Sequence, residues 1–145
     1  MFDRVSHLLG LKPKHHSHHD GLALATAALL VQVSKADGDF SADERALLLG
    51  CLEDQFNLES DIADEILARA EREQDDAASL YVFTRAVTRE LDQDGRQEIV
   101  RLLWRVAFAD NQIDNFEENA LAKIAGLLGV TAHDRIRLKH EVMAE

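Results

Sequence analysis

A ten-residue pattern occurs twice in this chain, and it restricts the fold more than any other feature. Leu29-Leu30-Val31-Gln32-Val33-Ser34-Lys35-Ala36-Asp37-Gly38 returns as Leu102-Leu103-Trp104-Arg105-Val106-Ala107-Phe108-Ala109-Asp110-Asn111. The match runs on through Phe40 and Ile113, Glu44 and Glu117, and Leu48 and Leu121. Each copy reads as a helix, a turn and a second helix. The turn falls on Ala-Asp followed by Gly or Asn, the residue types that most cheaply take the left-handed conformation in which helices commonly end.

The remaining sequence keeps the same helical spacing of apolar residues. Leu22, Ala25, Leu29, Val33 and Ala36 mark a first helix, ended by Gly38. The second starts at Ser41 and carries Leu47, Leu48, Cys51, Leu52 and Phe56. A third spans Glu59 to Glu73 through Ile62, Ile66, Leu67 and Ala70, and a fourth spans Ala77 to Leu91 through Leu80, Phe83 and Val87. The fifth runs from Gln93 to Ala109 with Ile99, Leu102, Leu103, Val106 and Ala107. The sixth covers Asn115 to Leu128, and the seventh starts at Ala132. No run alternates with the period of two that a half-buried strand shows. The expected fold is therefore all-α, a compact bundle of about seven helices built from two related halves. Short connections predict that consecutive helices pack as neighbours. A single domain over residues 21–145 is expected, after an arm of residues 1–20. That arm has an apolar set (Phe2, Val5, Leu8, Leu9), then a linker from Lys12 to His19 that includes the chain's one proline, Pro13.

Charge narrows the function. The net charge is −11, from 27 acidic and 16 basic residues. Residues 37–76 hold 14 of the acids and only three bases, so the whole excess lies in that segment. A nucleic-acid binder needs basic surface to meet phosphates, and anionic membrane surfaces demand the same. Both are disfavoured here. No apolar run has the length of about 18 residues that a membrane-spanning helix requires. With one cysteine, no internal disulfide can form, which suits a reducing compartment, and a cytoplasmic location is expected. The acidic third helix, through Glu59, Asp61, Asp64 and Glu65, is a candidate surface for a basic protein partner.

The repeated turns carry the other candidates. Ser41-x-x-Glu44 and Asp114-x-x-Glu117 have the form of capping boxes, and Thr131-x-x-Asp134 repeats the idea. Asp37 and Asp110 each fall at the C-terminal end of a helix, where the dipole disfavours negative charge. Their partner is a set of backbone amides, a basic residue or a cation. The cation reading draws on Asp37, Glu44, Asp110 and Glu117, supported by Asp39 and Asp114, whose hard oxygens suit Ca²⁺ or Mg²⁺. The first turn opens like a calcium loop, but Ala42 stands at its sixth position and Leu48 at its twelfth, so it is no EF-hand.

Other residues read more plainly. Cys51 falls on an apolar stripe, as a buried thiol would. Trp104 reads as core or as a helix–helix contact, and His133 and His140 as surface. His15, His16, His18 and His19 would charge as pH falls through about 6.5. Nucleophile–base pairs, phosphate-cradling glycine loops and Cys-x-x-Cys are all lacking from the sequence, and no enzymatic activity is expected.

On the stretches Leu29 to Glu44 and Leu103 to Glu118, the chain resembles the TerB-like family, the tellurite-resistance-associated helical domain. The same domain type occurs at the N-terminus of a membrane-anchored DnaJ-like co-chaperone. The resemblance covers about residues 22–143 and includes Tyr81-Val-Phe83-Thr-Arg85 and Gly126-Leu-Leu-Gly129-Val. Asn111 stands where the family pattern has Gly. The resemblance implies an all-helical fold of two related halves, and a cation or partner site at the acidic loops. Two functions are then open: a stress-associated binding or adaptor module that uses a divalent cation, or a protein-interaction domain that uses its acidic 37–76 face without metal.

Overall fold

A computed structural model of the chain describes residues 17–36, 38, 40–73, 77–109 and 115–145. Among these residues it forms seven α-helices and no strand: α1 (Ser17–Ser34), α2 (Ala42–Phe56), α3 (Ser60–Arg72), α4 (Ala77–Glu90), α5 (Gln93–Ala107), α6 (Asn115–Leu127) and α7 (Ala132–Met143).

Local chemistry sets most of these limits. Ser41, Asp92 and Thr131 are N-caps whose side-chain oxygens accept from the amides of Glu44, Gly95 and Asp134. Each such cap is worth about 1 kcal/mol. Asn57 ends α2 in the left-handed conformation at φ 55°, and Gly38 follows α1 at φ 96°. Gly38 thus bears out the reading of the first turn, whereas Asn111 lies outside the described residues.

The largest departure from the expected boundaries is at the first helix, while α5 ends two residues early, at Ala107. α1 starts at Ser17, not Leu22, and so takes in the backbone of His18 and His19. Only Gly21 interrupts that stretch, at a cost of about 1 kcal/mol relative to Ala. His15, His16 and the apolar set from Phe2 to Leu9 lie outside the described residues.

The core is organised around α1. Sequence spacing assigns this helix one apolar face, but the structure buries it on all sides. Ala23, Ala25, Thr26, Ala27, Ala28, Leu29, Leu30, Val31, Val33 and Ser34 are each at most 1% exposed. A helix apolar all round belongs in the interior. α1 packs against α2, α3, α4, α5 and α6, and its alanines let those neighbours approach closely. This arrangement also corrects the expectation of sequential packing. α2 lies against α3, and α6 against both α5 and α7, but α3–α4 and α4–α5 share no extensive contact. Both α3 and α4 are drawn onto α1 instead.

The two copies of the repeat share one local arrangement. α1 and α2 pack together as α5 and α6 do, and α1 lies against α5. Leu30 and Leu103 are fully buried, as are Val31 and Trp104, and Leu48 and Leu121. Burying a leucine contributes about 1.5–3 kcal/mol, so both copies of the pattern act first as core.

The last helix is held by long-range polar contacts. Trp104, fully buried on α5, donates its indole N–H to the Arg135 carbonyl of α7 at 3.0 Å. Its ring stacks on Phe108 at 5.7 Å, and the Lys139 ammonium sits 5.4 Å from the ring centre. Around this contact, Arg101 pairs with Glu141, Arg105 with Glu145, and Lys139 with Glu118. No helix among the described residues is long and apolar enough to cross a membrane.

Candidate functional site

The acidic segment resolves into two parts, one facing inward and one outward. Arg45 of α2 reaches across to α3, its Nε donating to Glu71 at 2.6 Å and its Nη1 to Asp64 at 2.7 Å. The Asp64 hydrogen bond, followed by that of Glu71, holds the Arg45 guanidinium above its ordinary pKa. Asp64 therefore already has a partner inside the chain. Glu53 is likewise used, accepting from the Ser60 hydroxyl at 2.8 Å.

The outward part consists of Glu59, Asp61 and Glu65, all exposed. Glu59 is the N-cap residue of α3, but its side chain makes no capping hydrogen bond. Asp61 accepts from the Ile62 amide at 2.9 Å through one oxygen, which leaves the other to solvent. Among the described residues, no basic side chain pairs with Glu59, Asp61 or Glu65.

The turn residues divide differently. Asp37, Asp39, Asp110 and Asp114 lie outside the described residues. Glu44 forms the expected capping box: its Oε1 accepts from the Ser41 amide at 2.8 Å, and the Ser41 hydroxyl accepts from the Glu44 amide at 3.1 Å. Its repeat equivalent, Glu117, is buried at 5% exposure in the first turn of α6. The two copies thus treat the same residue unequally, one at the surface and one in the interior. Among the described residues, no three His, Cys, Asp or Glu side chains gather closely enough to hold a metal ion.

Cys51 is half-buried, more open than the apolar stripe suggests. Burial pushes its thiol above the ordinary pKa, Arg105 opposes the shift, and Asp54 adds to it. His133 and His140 are exposed, as read from sequence. They line an open groove of about 510 Å³ along α7, with Ile136, Arg137, Glu141 and Ala144. The described lining comes from α7 and its C-cap residue alone and includes no Ser, Thr or Cys.

Sequence reading missed Arg45, although a signal existed: it is one of only three bases among the 14 acids of residues 37–76. It also missed Arg96, whose Nε and Nη2 donate to the carbonyls of Leu91 and Thr88 and so close the end of α4.

Comparison with known proteins adds a family. The model of tellurite resistance protein TerB matches residues 23–140. Neither a curated protein nor a solved structure matches the chain.

Proposed function

The chain belongs to the TerB family, and from that premise we propose that it is a non-catalytic binding module that docks a basic protein segment on the exposed face of α3. One observation carries this reading. Glu59, Asp61 and Glu65 remain open to solvent while Arg45 takes up Asp64 and Glu71 from the same helix. A row of unneutralised carboxylates on a well-anchored helix steers and orients a positively charged partner. A cytoplasmic setting and a role in stress response are part of the proposal, drawn from the single cysteine and the tellurite-resistance family.

The test uses a short fluorescent peptide that combines lysine and leucine at helical spacing, titrated with the full chain. Binding should weaken as salt rises, because exposed charges are screened. It should fall by about tenfold in Glu59→Lys/Asp61→Lys/Glu65→Lys. Equal binding by that variant would overturn the reading.

A second reading adds Ca²⁺ or Mg²⁺ at Asp37, Glu44, Asp110 and Glu117, with Asp39 and Asp114 in support. It rests on the recurrence of Asp at both turns. Titration calorimetry with each cation, on the parent and on Asp37→Ala/Asp110→Ala, decides it. No heat at sub-millimolar metal removes the cation from the proposal.

A further inference from the structure

Four large apolar side chains among the described residues stand exposed: Tyr81, Val82, Phe116 and Met143. Tyr81 and Val82 are adjacent on the outer face of α4, at 59% and 62% exposure. Arg85 and Arg89, also exposed, follow one and two turns along the same helix. Spacing of four residues places Tyr81, Arg85 and Arg89 in one row, with Val82 beside its start.

Neither guanidinium holds a hydrogen bond or ion pair with another described residue. This contrasts with Arg45, Arg69, Arg101, Arg105 and Arg137, each of which holds a carboxylate of the chain. The helix dipole accounts for a cation in the last turn, where Arg89 lies. It does not account for Arg85 a turn earlier, or for the exposed ring and valine that precede it.

We propose that this face of α4 docks an acidic, apolar segment of another protein. Carboxylates one turn apart on that segment would meet Arg85 and Arg89, and an apolar side chain would cover Tyr81 and Val82. Arginine and tyrosine are the residue types that most often anchor such interfaces. The surface is separate from the acidic face of α3. Both helices pack on α1, but α3 lies against α2 and α4 against α6. One module can therefore hold a basic partner and an acidic one together.

The occupant is a different chain and not a second copy. Two copies would bring extended surfaces of net charge −11 each within a Debye length of one another, and these repel. A short acidic segment senses chiefly charges within a Debye length of about 8 Å. On α4 those are Arg85 and Arg89 against Glu90.

The experiment titrates the full chain into a fluorescent peptide that combines glutamate and leucine at helical spacing. Arg85→Glu/Arg89→Glu should weaken binding by about tenfold or more, and the neutral Val82→Ser should weaken it in a salt-independent way. Arg85→Lys/Arg89→Lys should retain the salt-dependent part. All these positions are exposed, so circular dichroism should show the fold unchanged. Failure of the parent to bind, or equal binding by the double reversal, overturns the proposal. Equal competition by phosphatidylserine vesicles overturns the protein partner. A concentration-dependent dimer on sedimentation that the double reversal abolishes overturns the choice of a foreign chain.

Discussion

The indole N–H of Trp104 on α5 donates to the main-chain carbonyl of Arg135 on α7 at 3.0 Å, joining two helices across 31 residues of sequence. Trp104 occupies the place that Val31 holds in the first copy of the repeat. The second copy therefore gains a polar link outward, toward the helix that closes the bundle.

Replacing Trp104 should release α7 more than any other helix. Trp104→Ala should cost about 3–5 kcal/mol, the range for a fully buried large aromatic. Trp104→Phe keeps most of the apolar volume but removes the donor, and should cost about 1–3 kcal/mol. Urea unfolding gives both values, and hydrogen exchange should show α7 losing protection first.

Arg45 tests the inward half of the acidic segment. Its pairs with Asp64 and Glu71 are part-exposed, so each should contribute at most about 1 kcal/mol. Arg45→Met should lower the urea midpoint modestly, and the loss should shrink in high salt. A double-mutant cycle with Asp64→Asn should show coupling between the two positions; strict additivity would mean that the crossing is geometrically present but energetically empty.

The ion pairs of Glu141 and Glu145 should make a small contribution to the acid limb of stability. Hydrogen bonds from Arg137 and then Arg101 hold the Glu141 carboxyl below its usual range, and the hydrogen bond from Arg105 does the same for Glu145. A carboxyl with a lowered folded-state pKa contributes stability above its unfolded value of about 4.3. That contribution disappears as pH falls through the folded value. Urea midpoints measured from neutral to acid pH should therefore drop more steeply in the parent than in Glu141→Gln/Glu145→Gln. Parallel curves would mean that neither pair is kept in solution.

Capping and cation binding make different demands on the first turn. Ser41→Ala should cost about 1 kcal/mol whether or not Ca²⁺ or Mg²⁺ is present, because it removes a hydrogen bond to the Glu44 amide. A cost that appears only with metal would assign the turn to the cation instead.

Cys51 should react slowly. Only the thiolate is nucleophilic, and burial raises the pKa of this thiol. Iodoacetamide should modify it more slowly than free cysteine at neutral pH, and the two rates should converge on unfolding in urea. A rate equal to that of free cysteine in the folded chain would contradict the half-buried position.

Helix limits were legible where caps write them locally. Ser41, Asp92 and Thr131 announce α2, α5 and α7 within four residues of sequence, and Gly38 announces its own backbone conformation. What α1 packs against was not legible. A window of alanines, leucines and valines shows an apolar spacing but not how many neighbours will cover it. Arg45 and Arg96 escaped for a related reason, as did the hydrogen-bond partner of Trp104, although the burial of Trp104 itself was legible. Their partners are carbonyls and carboxylates that only the fold brings near, such as Glu71 to Arg45 and Arg135 to Trp104. The acidic row of α3 was visible as composition, yet the division between Asp64, already engaged, and Glu65, open, depended on where one arginine of α2 could reach.

Because α1 is enclosed by five later helices, order of synthesis and order of burial run in opposite directions. The segment made before the others has no complete surroundings until α6, ending at Leu127, has left the ribosome. Until then its alanine- and leucine-rich surface has only part of its cover, and a nascent chain in that state is open to chaperones and to aggregation. Truncation at the repeat boundary would recreate that condition permanently. The first half, for all its likeness to the second, is not a spare copy that could live alone.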